Sequence, residues 1–404
     1  MNKYKRYERY KDSGIGWIGE IPEHWGIIKL KFLSTIFKGK NPQELTDEWR
    51  EEFLPYLSME YLRNSGDTLT LYAYPEKNLV TVNNSDILIL WDGSNAGEIV
   101  EGKNGILSST MAKIVPNNIV TRYLYWFLKG IEKFFKDNTV GMGIPHVNGE
   151  TLKNHLVLLP NLQDQNSIAN FLDQKTAEID GLIADKEKLI ELLQEKRQAI
   201  ITEAVTKGLN QNVKMKDSGI EWIGEIPEHW EIVKLKRCFK VINGKEIVNE
   251  VELDDSSGIN VYGSGGVFKK TDKYLFKGES VLFGRKGTIG KPIYVNESFW
   301  TVDTMYYTKF KMNMVPKWFY YMFIIYPWEA HTTQTALPSI VGTEIENDIW
   351  AIPSYKEQCE IVKMLNKKTS EIDELIIEVS NQIVKLKEYR QSLITEVVTG
   401  KIKV

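Results

Sequence analysis

The strongest constraint on the fold is a long repeat, because the chain contains nearly the same fifteen residues twice. Residues 11–25 read KDSGIGWIGEIPEHW and residues 216–230 read KDSGIEWIGEIPEHW, which is fourteen matches in fifteen positions at a shift of 205. A second repeat relates residues 196–206 to residues 389–399 at a shift of 193. Repeats in solenoids and propellers are about 20–50 residues long. The longer period therefore indicates duplication of a whole domain together with its connecting segment.

Length and composition are those of a soluble globular protein with two or more domains. The chain has 404 residues, of which 42% are hydrophobic and 26% are charged. No apolar run reaches the roughly 18 residues of a membrane span, and the first residues do not resemble a secretion signal. The two cysteines, Cys238 and Cys359, have no counterparts in the other repeat. We therefore expect no disulfide framework, no membrane association and a cytoplasmic location.

Each repeat begins with a segment of mixed, strand-leaning sequence. The short apolar runs Ile87–Trp91 and Ser280–Phe283 end at turn residues, as buried strands do. The aromatic segments 123–128 and 318–323 match one another and predict one short core helix in each repeat. The first part of each repeat is therefore predicted to be an α+β domain.

The second part of each repeat has the pattern of a long helix. Residues Ile168–Val205 contain no proline and a single glycine, Gly181, which predicts a rod of roughly 57 Å at ~1.5 Å per residue. Apolar residues at heptad spacing predict a coiled-coil seam, with Lys186 and Lys196 also falling on it. The predicted seam residues are Ile179, Leu182, Leu189, Leu193 and Ile200 in the first repeat, and Ile372, Leu375, Val379, Leu386, Tyr389 and Leu393 in the second.

Connectivity then predicts how the parts are arranged. The termini of a domain usually lie close together, so the end of the first helix is expected near the start of the second. Helices that pair along their seams must then run antiparallel. The predicted fold class is α+β, with two globular domains separated by two long antiparallel coiled-coil helices in a pseudo-two-fold tandem repeat. The predicted bounds are 1–158 and 210–351 for the globular domains, and 159–209 and 352–404 for the helices.

The segments that close each repeat carry a resemblance to a known family. They are residues 160–165 (PNLQDQ), 171–180 and 195–198 in the first repeat, and 353–358, 368–373 and 389–400 in the second. With this combination present twice, the chain resembles the DNA specificity subunit of type I restriction–modification systems over nearly all of its length. The resemblance implies two target recognition domains that each read one half of a bipartite, asymmetric site in double-stranded DNA. It also implies spacer helices that dock two methyltransferase (M) subunits, in a full complex that includes restriction (R) subunits.

The sequence does not have the motifs of a catalyst. An amino-methylating enzyme would need an Asn/Asp-Pro-Pro-aromatic tetrapeptide, and the one Asn-Pro pair reads Asn41-Pro42-Gln43. A phosphate-binding loop is missing as well, and the five histidines lack metal-ligand spacing. We expect a non-enzymatic chain with no catalytic residues, no cofactor and no metal. Two alternatives remain, a coiled-coil scaffold without a role on DNA and a self-contained methyltransferase or nuclease, which is disfavoured.

Residues that differ between the two repeats are the candidates for reading DNA, because a shared scaffold must present different surfaces to two half-sites. Aligning Leu88–Gly97 with Val281–Gly290 places different polar residues in equivalent loops. Arg285 could bond guanine, Lys286 could meet a phosphate, and Asn95 could pair with adenine. The alternative is a hairpin tip whose charges are simply solvated.

Other candidates come from a shared dipeptide and from three variable segments. Gly-Lys occurs at the same place in both repeats, and a shared lysine suits a phosphate contact as well as it suits an unpartnered surface position. Polar segments precede the matched prolines Pro145 and Pro338, and a Gly-rich stretch followed by two lysines occurs in the second repeat alone. The candidate DNA-binding residues are Lys40, Ser94, Asn95, Asn138, Thr139, Lys245, Ser264, Lys269, Lys270, Arg285, Lys286, Thr288, Thr333 and Gln334.

The duplicated fifteen-residue block is not a candidate for reading bases, since it is nearly identical in both repeats. Its tryptophans and prolines predict a rigid segment packed where a globular domain meets the helices. His24 and His229 are expected to pack or cap beside Trp25 and Trp230. A docking site for the methyltransferase subunit is the second interpretation.

Overall fold

The computed structural model describes residues 4–63, 70–210, 212–333 and 337–404. The chain divides into two compact units: the first contains the chain up to Lys186 together with Asn381–Val404, and the second contains Glu187–Ser380. Each unit therefore holds one globular domain and a part of each long helix. Among the described helices, none combines the length and apolar character needed to cross a membrane.

The globular part of the first unit mixes short strands with short helices. Its strands are β1 Tyr10–Asp12, β2 Glu20–Pro22, β3 Gly26–Lys29, β4 Ser34–Lys38, β5 Leu54–Leu57, β6 Tyr72–Ala73, β7 Thr81–Val82, β8 Ile87–Leu90, β9 Ile99–Glu101, β10 Gly105–Leu107, β11 Met111–Pro116 and β12 Leu156–Leu159. Its helices are α1 Leu30–Leu33, α2 Met59–Arg63, α3 Thr121–Gly130, α4 Glu132–Asp137 and α5 Gly149–Asn154. The strands form sheets in the orders β6-β5-β10-β7 and β4-β11-β8-β9, with the smaller pairs β1-β2 and β12-β3.

The globular part of the second unit follows the same plan with longer strands. They are β13 Met215–Asp217, β14 Glu225–Pro227, β15 Glu231–Lys234, β16 Phe239–Asn243, β17 Glu250–Val251, β18 Ile259–Gly263, β19 Gly266–Thr271, β20 Phe276–Gly284, β21 Ile293–Thr301, β22 Met305–Phe310 and β23 Ile349–Ile352. The helices are α7 Pro316–Ile325 and α8 Gly342–Asn347, with 3-10 turns at Leu235–Arg237 and Trp328–His331. One continuous sheet has the order β16-β22-β20-β21-β18-β19-β17, beside the pairs β13-β14 and β15-β23.

The two domains differ mainly in one strand. In the second unit β21 pairs with β20 in its first part and runs parallel to β18 at its end, so that it joins both halves of the sheet. In the first unit the corresponding stretch is divided into β9, which pairs with β8, and β10, which runs parallel to β5. The duplicated scaffold is therefore one sheet in one copy and two in the other.

The cores confirm the elements predicted from the apolar and aromatic runs. Strand β8 is buried along its whole length, and so is the end of β20. Helices α3 and α7 carry the aromatic segments 123–128 and 318–323, which are buried except at Tyr320. In each unit a buried glutamine at the start of the long helix holds the chain that leads into this aromatic helix: Gln165 accepts from Val120 N at 2.8 Å, and Gln358 accepts from Val315 N at 2.9 Å.

The two long helices each begin at a polar capping residue. Helix α6 spans Leu162–Lys207, 46 residues, and α9 spans Tyr355–Val398, 44 residues. At the N-terminus of each helix, a polar side chain accepts a hydrogen bond from a backbone N–H group of the first turn. Asn161 Oδ1 accepts from Asp164 N at 2.9 Å, and Ser354 Oγ accepts from Glu357 N at 3.3 Å. Each helix therefore begins two residues after a proline, Pro160 or Pro353.

Within each unit the two helical segments run antiparallel. In the first unit Asp180 Oδ1 lies 2.9 Å from Arg390 Nε, and Lys186 Nζ donates to Gln382 at 2.6 Å. Residue numbers thus rise along one segment as they fall along the other. In the second unit Arg197 Nε lies 3.0 Å from Asp373 Oδ1, and residues further along α6 share a core with residues earlier in α9, namely Ile201 with Ile361 and Leu365.

The predicted seam is correct at one position in each heptad and wrong at the second position. The positions shared by prediction and structure are Ile179, Lys186, Leu193 and Ile200, with Ile372, Val379, Leu386 and Leu393. Leu182, Leu189, Leu375 and Tyr389 are instead 42–51% exposed, and Lys196 is exposed as well. The intervening seam residues are Ile183, Ile190 and Arg197 in α6, and Ile376, Ile383 and Arg390 in α9. Counted from Ile179 and Ile372, the spacing therefore alternates four then three, and not three then four, and an arginine occupies one seam position in each helix.

The duplicated block joins the ends of the helices to each domain. In the first unit His24 Nε2 lies 2.8 Å from Asp164 Oδ2, and Trp25 Nε1 donates to the same carboxylate at 3.4 Å. The far edge of the Trp25 ring lies 3.2 Å from the place where Gly400 would carry a Cβ, just beyond the end of α9. A helix start and a helix end therefore meet at one indole.

The second unit repeats this arrangement. His229 Nε2 lies 3.0 Å from Glu357 Oε2, Trp230 Nε1 donates to Glu357 at 3.1 Å, and the ring lies 3.3 Å from the Cβ position of Gly208. Both end glycines have a positive φ, +72° at Gly208 and +74° at Gly400, which favours glycine. The preferred interpretation of the block, packing where the domain meets the helices, agrees with these contacts.

Candidate nucleic-acid interface

The candidate loops of the first domain are held together by their backbones. We call residues 91–98, between β8 and β9, the first hairpin loop, and residues 138–147 the first strap. Gly93 N donates to Pro145 O at 2.9 Å, and Val147 N donates to Trp91 O at 2.9 Å, so the strap lies along the loop. Thr110 O accepts from Trp91 N at 2.8 Å, which ties both to the turn before β11.

The second domain has the same backbone arrangement of hairpin loop, strap and preceding turn, which we call the frame, at equivalent residues. Its hairpin loop is residues 285–292, and its strap is the described residues 332–333 and 337–340. Gly287 N donates to Pro338 O at 2.9 Å, Ile340 N donates to Arg285 O at 3.0 Å, and Thr304 O accepts from Arg285 N at 2.8 Å. Segments selected separately from the sequence thus lie side by side in each unit, on one backbone scaffold that carries different side chains.

This frame corrects the alignment of the two hairpin loops by one residue. Met111 pairs with Leu90 and Met305 pairs with Gly284, so Gly284 is the counterpart of Leu90 and not of Trp91. Arg285 therefore corresponds to Trp91, and Lys286 corresponds to Asp92. Counted between paired strand residues, the connection in the second domain is one residue shorter, because eleven residues separate the paired Leu88 and Val100 but ten separate Leu282 and Ile293. A gapless alignment of the sequence could not place that deletion.

The shared Gly-Lys dipeptide sits beside this frame in both units. Gly39 N donates to Met111 O and Gly244 N donates to Met305 O, both at 2.9 Å. A Cβ at either glycine would lie 2.0 Å from a backbone oxygen, that of Ser108 or Val302. The glycine is therefore required by packing, and it directs the following lysine outward.

The remaining candidates divide into exposed side chains and side chains with local partners. Those exposed on the frame are Lys40, Ser94, Asn95, Lys245, Lys286 and Thr288. Arg285 is half-buried, and its Nη1 donates to Asp303 O at 3.4 Å. Asn138 and Thr139 are partly committed to the end of α4, where they donate to Phe134 O at 2.8 Å and Lys136 O at 3.3 Å. Thr333 lies 3.0 Å from Ser339 Oγ within its strap, and Gln334 lies outside the described residues.

The second-repeat hairpin between β18 and β19 contributes less than its sequence suggested. Ser264 lies at its tip and is half-buried. Lys269 Nζ forms an ion pair with Glu250 at 2.7 Å, and Lys270 Nζ donates to Asp255 O at 2.6 Å. Both lysines thus already have an oxygen partner. The hairpin still borders the frame, because Thr301 Oγ1 donates to Tyr262 O at 2.9 Å beside Lys245.

Sequence reasoning missed two residues of the first frame, Trp91 and Asp92. Asp92 forms an ion pair with Lys38 at 3.1 Å, and the same ammonium lies 5.6 Å from the centre of the Trp91 ring. The second domain has Lys286 in place of Asp92, so the charge at this position is reversed between the two loops. Only the correct strand register reveals this difference.

Comparison with known proteins assigns a family to this architecture. The family model of the type I restriction modification DNA specificity domain matches residues 22–192 and 227–385. The type I restriction enzyme MjaVIII specificity subunit of Methanocaldococcus jannaschii is 41% identical over 227 residues, 56% of this chain and 51% of that protein. The chain thus matches about half the length of that relative. The MjaIX specificity subunit of the same organism is 24% identical over 446 aligned residues, 100% of this chain and 99% of that protein.

Solved structures share the fold. A chain from a study of complex assembly and conformational transition of the type I R-M system has a TM-score of 0.73 at 13% identity, covering 94% of this chain and 98% of that one. The HsdS subunit from Thermoanaerobacter tengcongensis has a TM-score of 0.51 at 14% identity, covering 95% and 98%. Because the family model matches most of the chain, in two copies that each contain one frame, the chain belongs to the type I restriction modification DNA specificity family.

Proposed function

We propose that this chain is the sequence-reading subunit of a type I restriction–modification complex. Residues 1–158 and 210–351 act as target recognition domains, each reading one half of a bipartite site in double-stranded DNA. The observation that carries the proposal is the duplicated frame, in which equivalent backbone bonds present different side chains. A protein that reads an asymmetric site needs that combination, since phosphate contacts position a domain and base contacts specify the sequence.

The exposed residues of the frame suggest a division of roles. Lys40 and Lys245 are shared by the two domains, and the structure gives their ammonium groups no partner among the described residues, so they suit phosphate contacts. Asn95, Arg285 and Lys286 are not shared, so they suit base contacts or contacts special to one half-site. Lys269 and Lys270 are weaker candidates, because any contact with DNA must first displace their present partners.

The helices suit a docking role as well as a spacing role. Apolar side chains stand exposed beside the seam, and exposed apolar residues on a soluble protein are typical of contact surfaces. They are Leu182 and Val384 in the first unit, and Leu189, Leu192, Leu375 and Ile377 in the second. We propose that two methyltransferase subunits cover them, with restriction subunits added in the full complex. Catalysis then belongs to those partners, and this chain contributes none.

Selection from random-sequence DNA tests the proposal. The chain is combined with its methyltransferase subunits, and protected or methylated duplexes are sequenced. We expect two enriched half-sites with an unread gap, and no methylation, cleavage or ATP hydrolysis by the chain alone. Enrichment of no sequence would support a scaffold role, and methyl transfer by the purified chain would support a self-contained enzyme; either would overturn the proposal.

Exchange of one domain tests whether reading is modular. Replacing residues 216–350 by those of another family member should change one half-site and leave the other intact. The reciprocal exchange of residues 11–158 is the matched control and should change the other half. A change in both halves from a single exchange would contradict the assignment of one half-site to each domain.

A further inference from the structure

Arg285 and Trp91 are equivalent in the backbone, but their side chains have different surroundings. The outer edge of the Trp91 ring lies 3.2 Å from the place where Gly149, the first residue of α5, would carry a Cβ. Trp91 is therefore packed down onto the start of that helix. The guanidinium carbon of Arg285 instead lies 5.8 Å from the centre of the Tyr306 ring, on a ring that is itself 7% exposed.

Tyr306 occupies in the second domain the place that Trp91 occupies in the first. Its ring atoms lie 3.3 Å from the Cβ position of Gly342, the first residue of α8. The hydroxyl accepts from Gly342 N at 3.1 Å and donates to Ile340 O at 3.3 Å. The ring is thus fixed against the start of the short helix and against the strap.

Strand register explains why the two domains use different residues for one role. Ala112 pairs with Ile89, and Tyr306 pairs with Phe283. The adjacent pairs, Met111 with Leu90 and Met305 with Gly284, make Ala112 the counterpart of Tyr306. In the first domain the small Ala112 leaves room for Trp91 over the helix start. In the second domain Tyr306 fills that room, so the side chain at position 285 cannot enter it.

We propose that Tyr306 is a positioning residue that keeps Arg285 at the surface to read a guanine in the second half-site, and that Trp91 leaves the first domain without a base-reading side chain at the equivalent position. The inference rests on the function proposed above and names the chemistry of one recognised base. A guanidinium presents a planar set of five N–H donors, and the adjacent O6 and N7 acceptors of guanine match it.

The local contacts favour such a reading role. The Asp303 carbonyl accepts one hydrogen bond from Arg285, and the ring beneath it limits the freedom of the side chain. Restricting a long side chain before binding reduces the entropy lost on binding. Trp91 has a single N–H donor, and its ring packs against the start of α5 with the ammonium of Lys38 5.6 Å from the ring centre.

The test compares base preferences of the full chain with its methyltransferase subunits, by selection and by binding to single-base variants of the selected site. The variants are Arg285→Ala, Tyr306→Ala, their double mutant, Tyr306→Phe and Trp91→Ala. Arg285→Ala should reduce discrimination at one G·C pair of the second half-site by roughly 5- to 150-fold. Tyr306→Ala should relax the same pair, the double mutant should lose little more, and Tyr306→Phe should retain the preference because the ring remains.

The first half-site is the internal control for folding and assembly. Its preferences should persist in every variant of the second domain, and Trp91→Ala should lower stability without altering which bases are preferred. Uniform weakening of all sequences by Arg285→Ala would identify a phosphate contact and overturn the inference. The inference would also be overturned if Tyr306→Ala kept the preference for that G·C pair. Loss of the preference for a base of the first half-site in Trp91→Ala would overturn it as well. If the wild-type chain selects no bipartite site, the failure is that of the proposed function itself.

Discussion

Trp25 and Trp230 each lie between the start of one long helix and the end of the other. The indole N–H donates to a carboxylate in the first turn of the one, and the ring covers a glycine beyond the end of the other. A side chain that must satisfy both contacts can hardly vary. This explains why the block around it is nearly identical in the two repeats while the loops on the frame differ.

A glycine on the frame gives the first prediction. Gly244→Ala should destabilise the second unit by about 1–3 kcal/mol or more, because the new methyl group would meet the Val302 carbonyl at 2.0 Å. Hydrogen exchange resolved by peptide measures this loss within the unit. Gly265→Ala is the matched control, since nothing lies within 4 Å of its Cβ position. Equal protection in the two variants would show that the close approach is not a constraint.

A buried histidine gives the second prediction, which concerns pH. Burial lowers the pKa of His155 from 6.5 to about 4, among the rings of Phe127, Phe134 and Phe135. Between those pH values the unfolded chain binds the proton and the folded chain does not. Stability of the first unit should therefore fall as pH drops from about 6.5 toward 4, by no more than roughly 3 kcal/mol.

Proteolysis of the first unit as a function of pH measures this effect. His155→Phe removes the titrating group and should flatten the dependence in that window. The second unit has Asp348 at the corresponding position, where its carbonyl accepts from Leu235 N as that of His155 accepts from Leu30 N. An unchanged pH profile in the His155→Phe variant would assign the dependence to other groups.

At the scale of elements, the helix pairs are joined by equivalent ion pairs. Arg390 meets Asp180 in the first unit, and Arg197 meets Asp373 in the second. Each arginine and its equivalent are 193 residues apart, as are the two aspartates, so each repeat supplies one arginine and one aspartate. Exposed pairs of this kind contribute about 0–1 kcal/mol each, so the buried seam residues contribute most of the stability.

Neighbouring residues of α6 provide the third prediction. Ile183→Ala should cost about 2 kcal/mol or more, because its side chain is 8% exposed on the seam. Leu182→Ala, one residue away and 51% exposed, should cost less than about 1 kcal/mol in the isolated chain. Denaturant unfolding followed by helical signal compares the two. A larger loss of stability in Leu182→Ala than in Ile183→Ala would instead support the seam predicted from the sequence.

At the scale of the whole molecule, each helix is shared by both units, and the division falls at Lys186 and Ser380. A helix that continues from one unit into the next offers a fixed rise per residue as a measure of length. The domain bounds 1–158, 159–209, 210–351 and 352–404 remain predictions. The spacing role of the helices is likewise open to a direct test.

Lengthening both helices provides the fourth prediction. Seven residues inserted after Lys186 and seven after Ser380 keep the heptad in phase and add ~10 Å to each helix. At ~3.4 Å per base pair, the unread gap should grow by about three base pairs while both half-sites stay the same. Selection from random DNA reads the gap directly. An unchanged gap at full affinity would show that the helices do not set the spacing, and an insertion in one helix alone should weaken folding.

The sequence by itself determined the duplication, the α+β class, the buried strands, the aromatic helices and the long helices, because each depends on a repeat or a periodicity within a short stretch of chain. It also determined the family, through segments that occur twice. Tertiary structure decided the remainder. Which apolar stripe of α6 is buried depends on the partner helix, since Leu182 and Ile183 are both apolar and only packing selects between them. The equivalence of Trp91 with Arg285 depends on strand register around a one-residue deletion. The different surroundings of these two side chains depend on Ala112 and Tyr306, which are distant in sequence and adjacent only in the folded sheet.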